Sequence, residues 1–315
     1  MAAGASESLA TARSARRDVL QELTHGLRAE LVRRGEFLPS AWVEEAADDL
    51  HAGRLEGWVL AGDPPGGIGF FSRRARRAYV HVHITEGPEA TARAARLLGS
   101  VVDRLPPDVG RADAGVTGLT DGEEDSLGRL VAHWPGYSIL ERRALVRSLT
   151  GAPEPAEQWD GTGLERRPVR EVPLEAIAAL DWSGFHGTPD ESIVAETEAE
   201  DRQILSEILE GRLGRFLDQA SIALFDPDGR AVGLLLTAEI TPRRGAFLDL
   251  VVHPSLRRRG IGRLLLGFGL RATRGLGYSE AALWVTTTNL PALALYSSAG
   301  FQPERRAMIY RFVRS

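Results

Sequence analysis

The segment FLDLVVHPSLRRRGIGRLLLGF, residues 247–268, decides the fold that this sequence predicts. Its first six residues are mostly apolar and predict a buried strand, which must end before Pro254 because proline cannot donate to a sheet. Gly260 and Gly262 stand where a helix begins, and the leucine run 264–266 predicts that this helix packs on the sheet. The free amides at the start of such a helix bind anions, so the segment predicts an anion cradle.

Three consecutive arginines, Arg257, Arg258 and Arg259, allow two interpretations of this loop. They could form a basic patch for nucleic acid, or they could surround a loop that binds one phosphate group. The formal net charge of −5 argues against a nucleic-acid-binding protein, which needs a basic surface. The flanking strand and glycines favour the phosphate loop, so no nucleic-acid partner is expected. The loop lacks the sequence pattern of a P-loop or a Rossmann dinucleotide site.

Length and composition predict an ordinary globular protein of two domains. The chain has 315 residues, of which 43% are hydrophobic and 26% are charged. It has no cysteine, which excludes disulfides, thiolate catalysis and cysteine-based metal sites, and no metal site is expected. No stretch reaches the ~18 apolar residues of a membrane span, and the N-terminal residues lack the apolar core of a secretory signal. A cytoplasmic protein without a membrane partner is expected.

The chain repeats itself. GYSILERRALV (136–146) and GFQPERRAMI (300–309) share a Gly-aromatic pair and Glu-Arg-Arg-Ala, about half a chain apart. Each half predicts the same order: helical region, hairpin, strand, helix, strand, helix, strand. The predicted fold is α+β, with two tandem domains, each a mixed, mostly antiparallel sheet flanked by helices. We predict domains at 1–152 and 164–315, joined by a Pro/Gly-rich linker at 153–163.

The second half resembles the GCN5-related N-acetyltransferases (GNAT), which transfer the acetyl group of acetyl-CoA. Val252-x-Pro254 followed by Arg257-x-x-Gly260-x-Gly262 looks like the pyrophosphate loop of this family. A second family signature follows in the expected order: the strand LWV (283–285), Asn289, Ala292, Leu295-Tyr296 and Gly300-Phe301. The resemblance covers residues 164–315 through these motifs, and the first half only through topology and the repeat.

The resemblance implies an N-acetyltransferase that moves an acetyl group from acetyl-CoA, its co-substrate, to a primary amine of a small molecule or peptide. The amine would attack directly in a ternary complex, so positioning would supply most of the catalysis. The pantetheine arm would lie between two strands that diverge. The implied acetyl-CoA site consists of Leu250, Val251, Val252, Arg257, Arg258, Arg259, Gly260, Ile261, Gly262, Arg263, Asn289, Ala292 and Tyr296.

Two residues carry the implied proton transfers. Tyr296 stands at the family's position for the acid that protonates the departing thiolate, although a packed core tyrosine is the alternative. The base is less defined, because two positions that the family favours for a glutamate hold Ala246 and Leu248. Asp249, the only carboxylate on this strand, is the candidate, although strand alternation could point it to the face opposite Leu248 and Leu250. His186 and Glu280 are lesser candidates for the base.

Other residues keep two interpretations at this point. Asn289 would bind the pantetheine arm or simply cap a helix, and His253 is expected to be a turn residue. Trp182, Phe185, His186 and Trp284 are candidates for the wall that binds the acceptor, with ordinary core packing as the alternative. The acidic run 190–201 could attract a cationic amine or could be a solvated helix face.

The first half lacks the residues that the second half offers for chemistry. The place of its phosphate loop reads HITEGPEATARAARLL, and Glu86 and Glu89 there would repel a pyrophosphate. The positions matching Asn289 and Tyr296 hold Asp125 and Ala132. We therefore expect a noncatalytic first domain, acting as a scaffold or as one wall of the substrate cleft.

Two alternatives to a general amine acetyltransferase stay open. The tandem architecture is similar to that of the mycothiol synthases, but their strand glutamate is replaced here by Ala246 and the first-half acyl-CoA loop is missing. A noncatalytic acyl-CoA-binding sensor is the other alternative, and the missing strand glutamate favours it. The sequence does not determine the acceptor or the oligomeric state.

Overall fold

A computed structural model describes residues 8–34, 40–62, 64–74, 76–151 and 163–314. The predicted linker 153–163 lies outside the described residues except for Gly163. The strands are β1 Leu9–Thr11, β2 Glu56–Leu60, β3 Gly67–Arg74, β4 Arg77–Ile84, β5 Arg111–Thr117, β6 Tyr137–Ser148, β7 Glu165–Arg167, β8 Arg215–Phe216, β9 Ile222–Phe225, β10 Ala231–Thr241, β11 Arg244–Val252, β12 Glu280–Thr286 and β13 Gln302–Val313. The α-helices are α1 Arg17–Arg34, α2 Ser40–Ala52, α3 Ala90–Val102, α4 Asp121–Val131, α5 Leu174–Phe185, α6 Glu191–Val194, α7 Glu198–Leu209, α8 Ile261–Gly275 and α9 Leu290–Ser298.

The order of these elements confirms the predicted fold class. The predicted hairpin around residues 224–236 is formed by β9 and β10, which pair in antiparallel orientation. Asp226 stabilises the turn between them, because its carboxylate accepts the backbone N–H groups of Asp228 at 3.1 Å and Arg230 at 2.9 Å. Gly229 adopts a φ of +77°, which completes the turn.

The first unit consists of the residues up to Glu141 together with those from Ala307 onward. Its strands follow the order β1-β2-β3-β4-β5, and residues 309–313 of β13 then pair with β5. Every pair is antiparallel except β4 with β5. Helices α1 and α2 pack on one apolar cluster of the unit, and α3 and α4 pack on another.

The second unit spans Arg142–Arg306. Residues 142–148 of β6 pair with β12, and the strand order continues β12-β11-β10-β9-β7, with the short β8 beside β10. Only β11 and β12 run parallel. Helices α5 and α7 contribute to one core cluster and α8 to another, and β10 and β11 supply residues to both.

The units begin and end at different residues from the predicted domains because each is completed by a strand from the other half of the sequence. The last strand of the first unit comes from the end of the chain, and the edge strand of the second unit comes from residues 142–148. Both boundaries fall inside the repeated Glu-Arg-Arg-Ala motif, after Glu141 and after Arg306. The repeat that revealed the duplication therefore also marks where the chain passes between units.

Candidate active site

The two parallel strands of the second unit diverge where a ligand would enter. β11 and β12 pair at only three positions, Arg244↔Glu280, Gly245↔Ala281 and Ala246↔Ala282, and the described strands have no further pairs. A β-bulge adds to this opening, because Leu236 faces Asp249 and Thr237 faces Phe247. Leu248 is thereby left without a partner in β10, a disruption of the kind often found at active sites. The predicted divergence of these strands is present in the structure.

The loop after β11 has the geometry of an anion cradle. Eight residues, His253 to Gly260, connect β11 to α8. Gly260 caps the helix with a φ of +85°, a left-handed conformation that favours glycine, and Arg258 adopts a φ of +65°. Because α8 begins at Ile261, the amides of its first turn lie at this loop, where an anion would be bound.

Charged side chains surround this cradle in two different ways. Arg258, Arg259 and Arg263 are exposed around the start of α8. Arg257 instead donates hydrogen bonds to the carbonyl oxygens of Val252, at 3.3 Å, and Gly184. The side chain of Arg257 therefore holds the loop against α5, while the other arginines supply positive charge toward solvent.

The contact between α5 and the end of β11 depends on a glycine. A Cβ atom at Gly184 would lie 2.1 Å from Cγ1 of Val251, so no larger residue fits there. This close approach brings the carbonyl oxygen of Gly184 to Arg257. His253 acts as the predicted turn residue, since its Nδ1 accepts the backbone N–H of Ser255 at 3.3 Å. The amide of Arg263 is already bonded to Gly260, at 3.0 Å, so this residue offers only its side chain to a ligand.

The structure brings the two predicted catalytic residues into one electrostatic environment. Asp249 is 9% exposed, and burial together with the charge of Asp201 raises the pKa of its carboxyl group to about 7, against the opposing charge of Arg142. Tyr296 is half-buried, and its ring lies 6.0 Å from that of Phe301. Burial and the charges of Asp190 and Asp249 raise the pKa of Tyr296 well above its ordinary value. Near neutral pH, the site therefore holds a weak carboxylic acid next to a protonated phenol.

Sequence reasoning missed the residue that ties this site together. Asp190 is 6% exposed and joins the end of β12 to the start of α9. One carboxylate oxygen accepts the backbone N–H of Thr286 at 3.1 Å and its hydroxyl at 2.5 Å, and the other accepts the side-chain amide of Asn289 at 2.7 Å. Arg142 lies 3.7 Å from the first oxygen and donates to the carbonyl of Trp284 at 3.3 Å.

The acidic run 190–201 is therefore only in part a solvated face, and attraction of a cationic amine by its exposed residues stays a prediction. Its ends, Asp190 and Asp201, are buried, whereas Glu196 and Glu198 between them are exposed. The repeated Glu-Arg-Arg-Ala motif was a sequence signal for Arg142. The repeat does not show, however, that the strand carrying Arg142 pairs with β12. For Asp190, the sequence carries no such signal.

We predict that an Asp190→Ala variant loses stability. Removing this carboxylate leaves buried donors of Thr286 and Asn289 without an acceptor, which should lower the free energy of unfolding by about 1–3 kcal/mol. Urea unfolding of the full chain measures the effect. Asp228→Ala is the control because Asp228 lies in an exposed turn, and its urea midpoint should stay near the wild-type value. Equal midpoints for the two variants would contradict a structural role for Asp190.

Asn289 performs the capping function that was one of its two interpretations. Its side-chain oxygen accepts the backbone N–H of Ala292 at 3.3 Å, at the start of α9. Its amide nitrogen donates to Asp190. Both polar atoms of Asn289 are therefore engaged within the protein, and Ala292 takes part through its backbone.

The candidate acceptor residues occupy different surroundings. Trp182 and Phe185 are half-buried on α5, and the ring of Trp182 lies 6.4 Å from that of His186. His186 is exposed and pairs with Glu191 at 2.6 Å. Trp284 is half-buried on β12, with the guanidinium of Arg305 5.2 Å from its ring.

The lesser candidates for the base are engaged elsewhere. Glu280 forms an ion pair of 2.8 Å with Arg244, at the end of β12 where the two parallel strands are still paired. His186 is exposed and held by Glu191. Ala246 and Leu248 place no carboxylate on β11, so Asp249 is the candidate base that the site geometry supports.

The corresponding strands of the first unit stay paired over a longer stretch. β4 and β5 stay paired at seven positions, from Arg77↔Arg111 to His83↔Thr117, and β3 pairs with β4 without a bulge. The loop from β4 to α3 has only five residues, Thr85 to Glu89. His81, three residues before the end of β4, occupies the place that Asp249 has in β11, and burial lowers its pKa to about 4.

Residues 176–301 match the model of the acetyltransferase (GNAT) family. The match includes α5, the bulged strand β11, the loop at the start of α8, and α9. The second unit of this chain therefore carries a domain of the GNAT family. None of the described helices combines the length and apolar character needed to cross a membrane.

Curated relatives point to one group of enzymes within this family. The chain is 27% identical over 188 residues to a mycothiol acetyltransferase of Streptomyces coelicolor, covering 59% of this chain and 58% of that protein. It is 29% identical over 250 residues to a mycothiol acetyltransferase of Clavibacter michiganensis subsp. michiganensis, covering 74% of this chain and 80% of that protein. A mycothiol acetyltransferase of Thermomonospora curvata is covered to 50% of its length. The chain thus spans only about half of the length of this protein and of the Streptomyces coelicolor relative.

Solved structures extend the likeness in fold to the whole chain. A GCN5-related N-acetyltransferase from Sphaerobacter thermophilus has a TM-score of 0.65 at 19% identity, covering 97% of this chain and 95% of that chain. A tandem GNAT protein from the clavulanic acid biosynthesis pathway has a TM-score of 0.64 at 14% identity, covering 97% and 98%. These likenesses establish the fold, which is that of tandem GNAT proteins.

Proposed function

We propose that this chain is an N-acetyltransferase that binds acetyl-CoA in its second unit and acetylates a primary amine of a small molecule or peptide. The observation that carries the proposal is the divergence of β11 and β12 after three residue pairs, in the unit where β11 leads into the glycine loop. In the first unit the same pair of strands stays joined to its end. A slot for an extended ligand is thus available in one unit of the two.

The residues around the loop fit the pyrophosphate and pantetheine of acetyl-CoA. The amides between Arg258 and Gly262, together with the exposed guanidinium groups, would hold the pyrophosphate. The apolar side chains of Leu250 and Val252 would contact the pantetheine arm. When bound there, acetyl-CoA supplies a thioester whose acetyl carbon an amine can attack.

Asp249 and Tyr296 would manage the protons of the reaction. The attacking amine arrives as an ammonium ion, and Asp249, with a pKa near 7, can accept its proton at neutral pH. The C–N bond then forms as the C–S bond breaks, and the departing sulfur takes a proton from Tyr296. Because the pKa of Tyr296 is raised, its phenol keeps that proton until the thiolate develops. The proton that the nitrogen loses on becoming an amide restores the phenol of Tyr296. A backbone amide near Val252 would polarise the carbonyl group.

We propose a noncatalytic role for the first unit. Its loop is shorter, its strands β4 and β5 stay paired at seven positions, and His81 stands at the position of Asp249. Arg93 donates to the carbonyl oxygen of Thr85 at 2.9 Å, so this arginine is used within the loop. A cavity of about 360 Å³ beside the loop is lined by Glu22, Glu30 and Glu86, the wrong charge for a pyrophosphate.

Two other functions are distinguished by the acceptor. The similarity to mycothiol acetyltransferases favours their acceptor as a second candidate, and Trp182, Phe185 and Trp284 would then contribute to its binding. A noncatalytic acyl-CoA sensor is the third candidate, and the presence of both Asp249 and Tyr296 argues against it. A cytoplasmic location stays a prediction.

Calorimetry followed by a thiol-release assay tests the proposal. We expect acetyl-CoA to bind at one site per chain, and to release thiol with at least one member of a panel of primary amines that includes the acceptor of the mycothiol acetyltransferases. Two sites would contradict the role proposed for the first unit. Binding without thiol release for any amine would favour a sensor, and no binding by the folded protein would overturn the assignment.

A further inference from the structure

Three aspartates from three elements meet beneath the bulge of β11. Asp181 lies on α5, Asp201 on α7 and Asp249 on β11. Helix α5 packs against both α7 and β11, which brings the three side chains together. Asp181 is 0% exposed and Asp201 is 1% exposed, whereas Asp249 keeps 9% of its surface accessible. Asp249 is therefore the member of this aspartate cluster that a substrate can reach.

The two inner aspartates lack the partners that buried carboxylates normally have. Among the residues that the structure describes, no donor reaches any of the four carboxylate oxygens of Asp181 and Asp201. Their carboxyl groups are within hydrogen-bonding reach of each other. Two ionised carboxylates only accept hydrogen bonds, so a bond between them requires that one carries a proton. An unpaired buried charge is costly, and sharing a proton removes one of the two charges.

Asp181 is the member of this pair that keeps the proton. Its complete burial, followed by the charges of Asp249 and Asp201, raises its pKa well above the ordinary value. Burial also raises the pKa of Asp201, to about 6, and the hydrogen bond from Asp181 opposes that rise. Above that pH, Asp201 is ionised and accepts the hydrogen bond of a neutral Asp181.

We propose that Asp181 and Asp201 are positioning residues that set the basicity of Asp249. Asp181 keeps its proton and donates a hydrogen bond to Asp201, and the negative charge on Asp201 makes Asp249 a stronger base for the incoming ammonium ion. This inference rests on the proposed function, in which Asp249 is the base. It assigns a role to two buried carboxyl groups for which the described residues supply no other donor.

Other charges act on the same cluster from the surrounding elements. Arg142, from β6, lowers the pKa of Asp249. Glu198 and Glu200, in the first turn of α7, raise the pKa of Asp201. Tyr296, from α9, lies within electrostatic reach of Asp249 and stays neutral over the pH range of interest. Arg142 therefore opposes the effect of Asp201 on the pKa of Asp249.

Asp201→Asn and Asp181→Asn form a matched pair of variants for the test. Asp201→Asn removes the negative charge, so the titration midpoint of Asp249 should fall by about one pH unit. Asp181→Asn replaces one neutral hydrogen-bond donor by another, so the midpoint of Asp249 should stay within a few tenths of a unit of the wild-type value. The midpoints are measured from the ¹³C resonances of the aspartate carboxyl groups in the full chain. The acid limb of the pH–rate profile should move with them.

A second test uses the wild-type protein and therefore does not depend on whether a variant folds. The carboxyl resonance of Asp181 should not titrate between about pH 5 and 8, because Asp181 stays protonated. Titration of Asp181 near its ordinary pKa would overturn the proposal. So would an Asp201→Asn variant with an unchanged midpoint for Asp249, or equal shifts in both variants. If the resonances shift as expected but no amine is acetylated, the proposed function fails while the coupling of the aspartates stands.

Discussion

An Asp249→Asn variant should transfer acetyl groups about 10²- to 10⁴-fold more slowly than the wild-type protein, while binding acetyl-CoA equally well. Asparagine keeps the shape of the side chain but cannot accept a proton from an ammonium ion. The base must be ionised to act, so the wild-type kcat/KM should fall as the pH drops below about 7, where Asp249 becomes protonated. The variant should lose this dependence.

Steady-state thiol release across pH 5 to 9 measures both effects, with calorimetry to follow acetyl-CoA. Asp228→Asn is the matched control, because it makes the same chemical change in an exposed turn of the same unit. Its kcat/KM and its acid limb should match those of the wild type. If Asp249→Asn keeps both the rate and the limb, Asp249 is not the base.

A Gly262→Glu variant should bind acetyl-CoA at least about 100-fold more weakly, a loss of about 2.7 kcal/mol. The new carboxylate lies in the first turn of α8, where it would repel the pyrophosphate and occupy the helix terminus that holds it. The fold should tolerate the change, because a Cβ atom there meets only side-chain carbons, the nearest being Cδ2 of Leu295 at 3.3 Å. Isothermal titration calorimetry measures the affinity.

Gly275→Glu provides the control for this charge change. Gly275 is at the opposite end of the same helix, is exposed, and has open space around its Cα. Its glutamate adds the same charge to α8 far from the loop, and acetyl-CoA binding should be unchanged. Equal affinities for the two variants would mean that the pyrophosphate is held elsewhere.

The parts of this molecule that follow local rules could be predicted from the sequence. The turn at Asp226 to Arg230, the end of β11 and the start of α8 depend on proline, glycine and apolar runs, which act within a few residues. The loop residues Gly260 and Gly262 could be found for the same reason. The left-handed φ of Gly260 is a property of the local backbone, and Gly262 follows it within the same short motif.

The parts that depend on distant partners could not be predicted. The sequence of residues 142–148 is typical of a strand, but it does not show which unit this strand joins. The structure pairs these residues with β12. The bulge beside Leu248 puts Asp249 close to Asp181 and Asp201. A sequence rule that assumes strict alternation along the strand cannot predict this contact. The sequence does contain a signal for Asp181, because this residue interrupts the buried, apolar face of α5. Its partners, however, come from two other elements.

The exchange of strands between the two halves has a consequence for how this protein can be divided. A polypeptide beginning at residue 164 would contain every motif of the acetyltransferase signature, yet it would lack residues 142–148 and with them Arg142. The polypeptide 1–152 would likewise lack the closing strand of its own sheet, residues 309–313. Each piece would therefore lack an edge strand of its unit, and we expect neither piece to fold stably on its own.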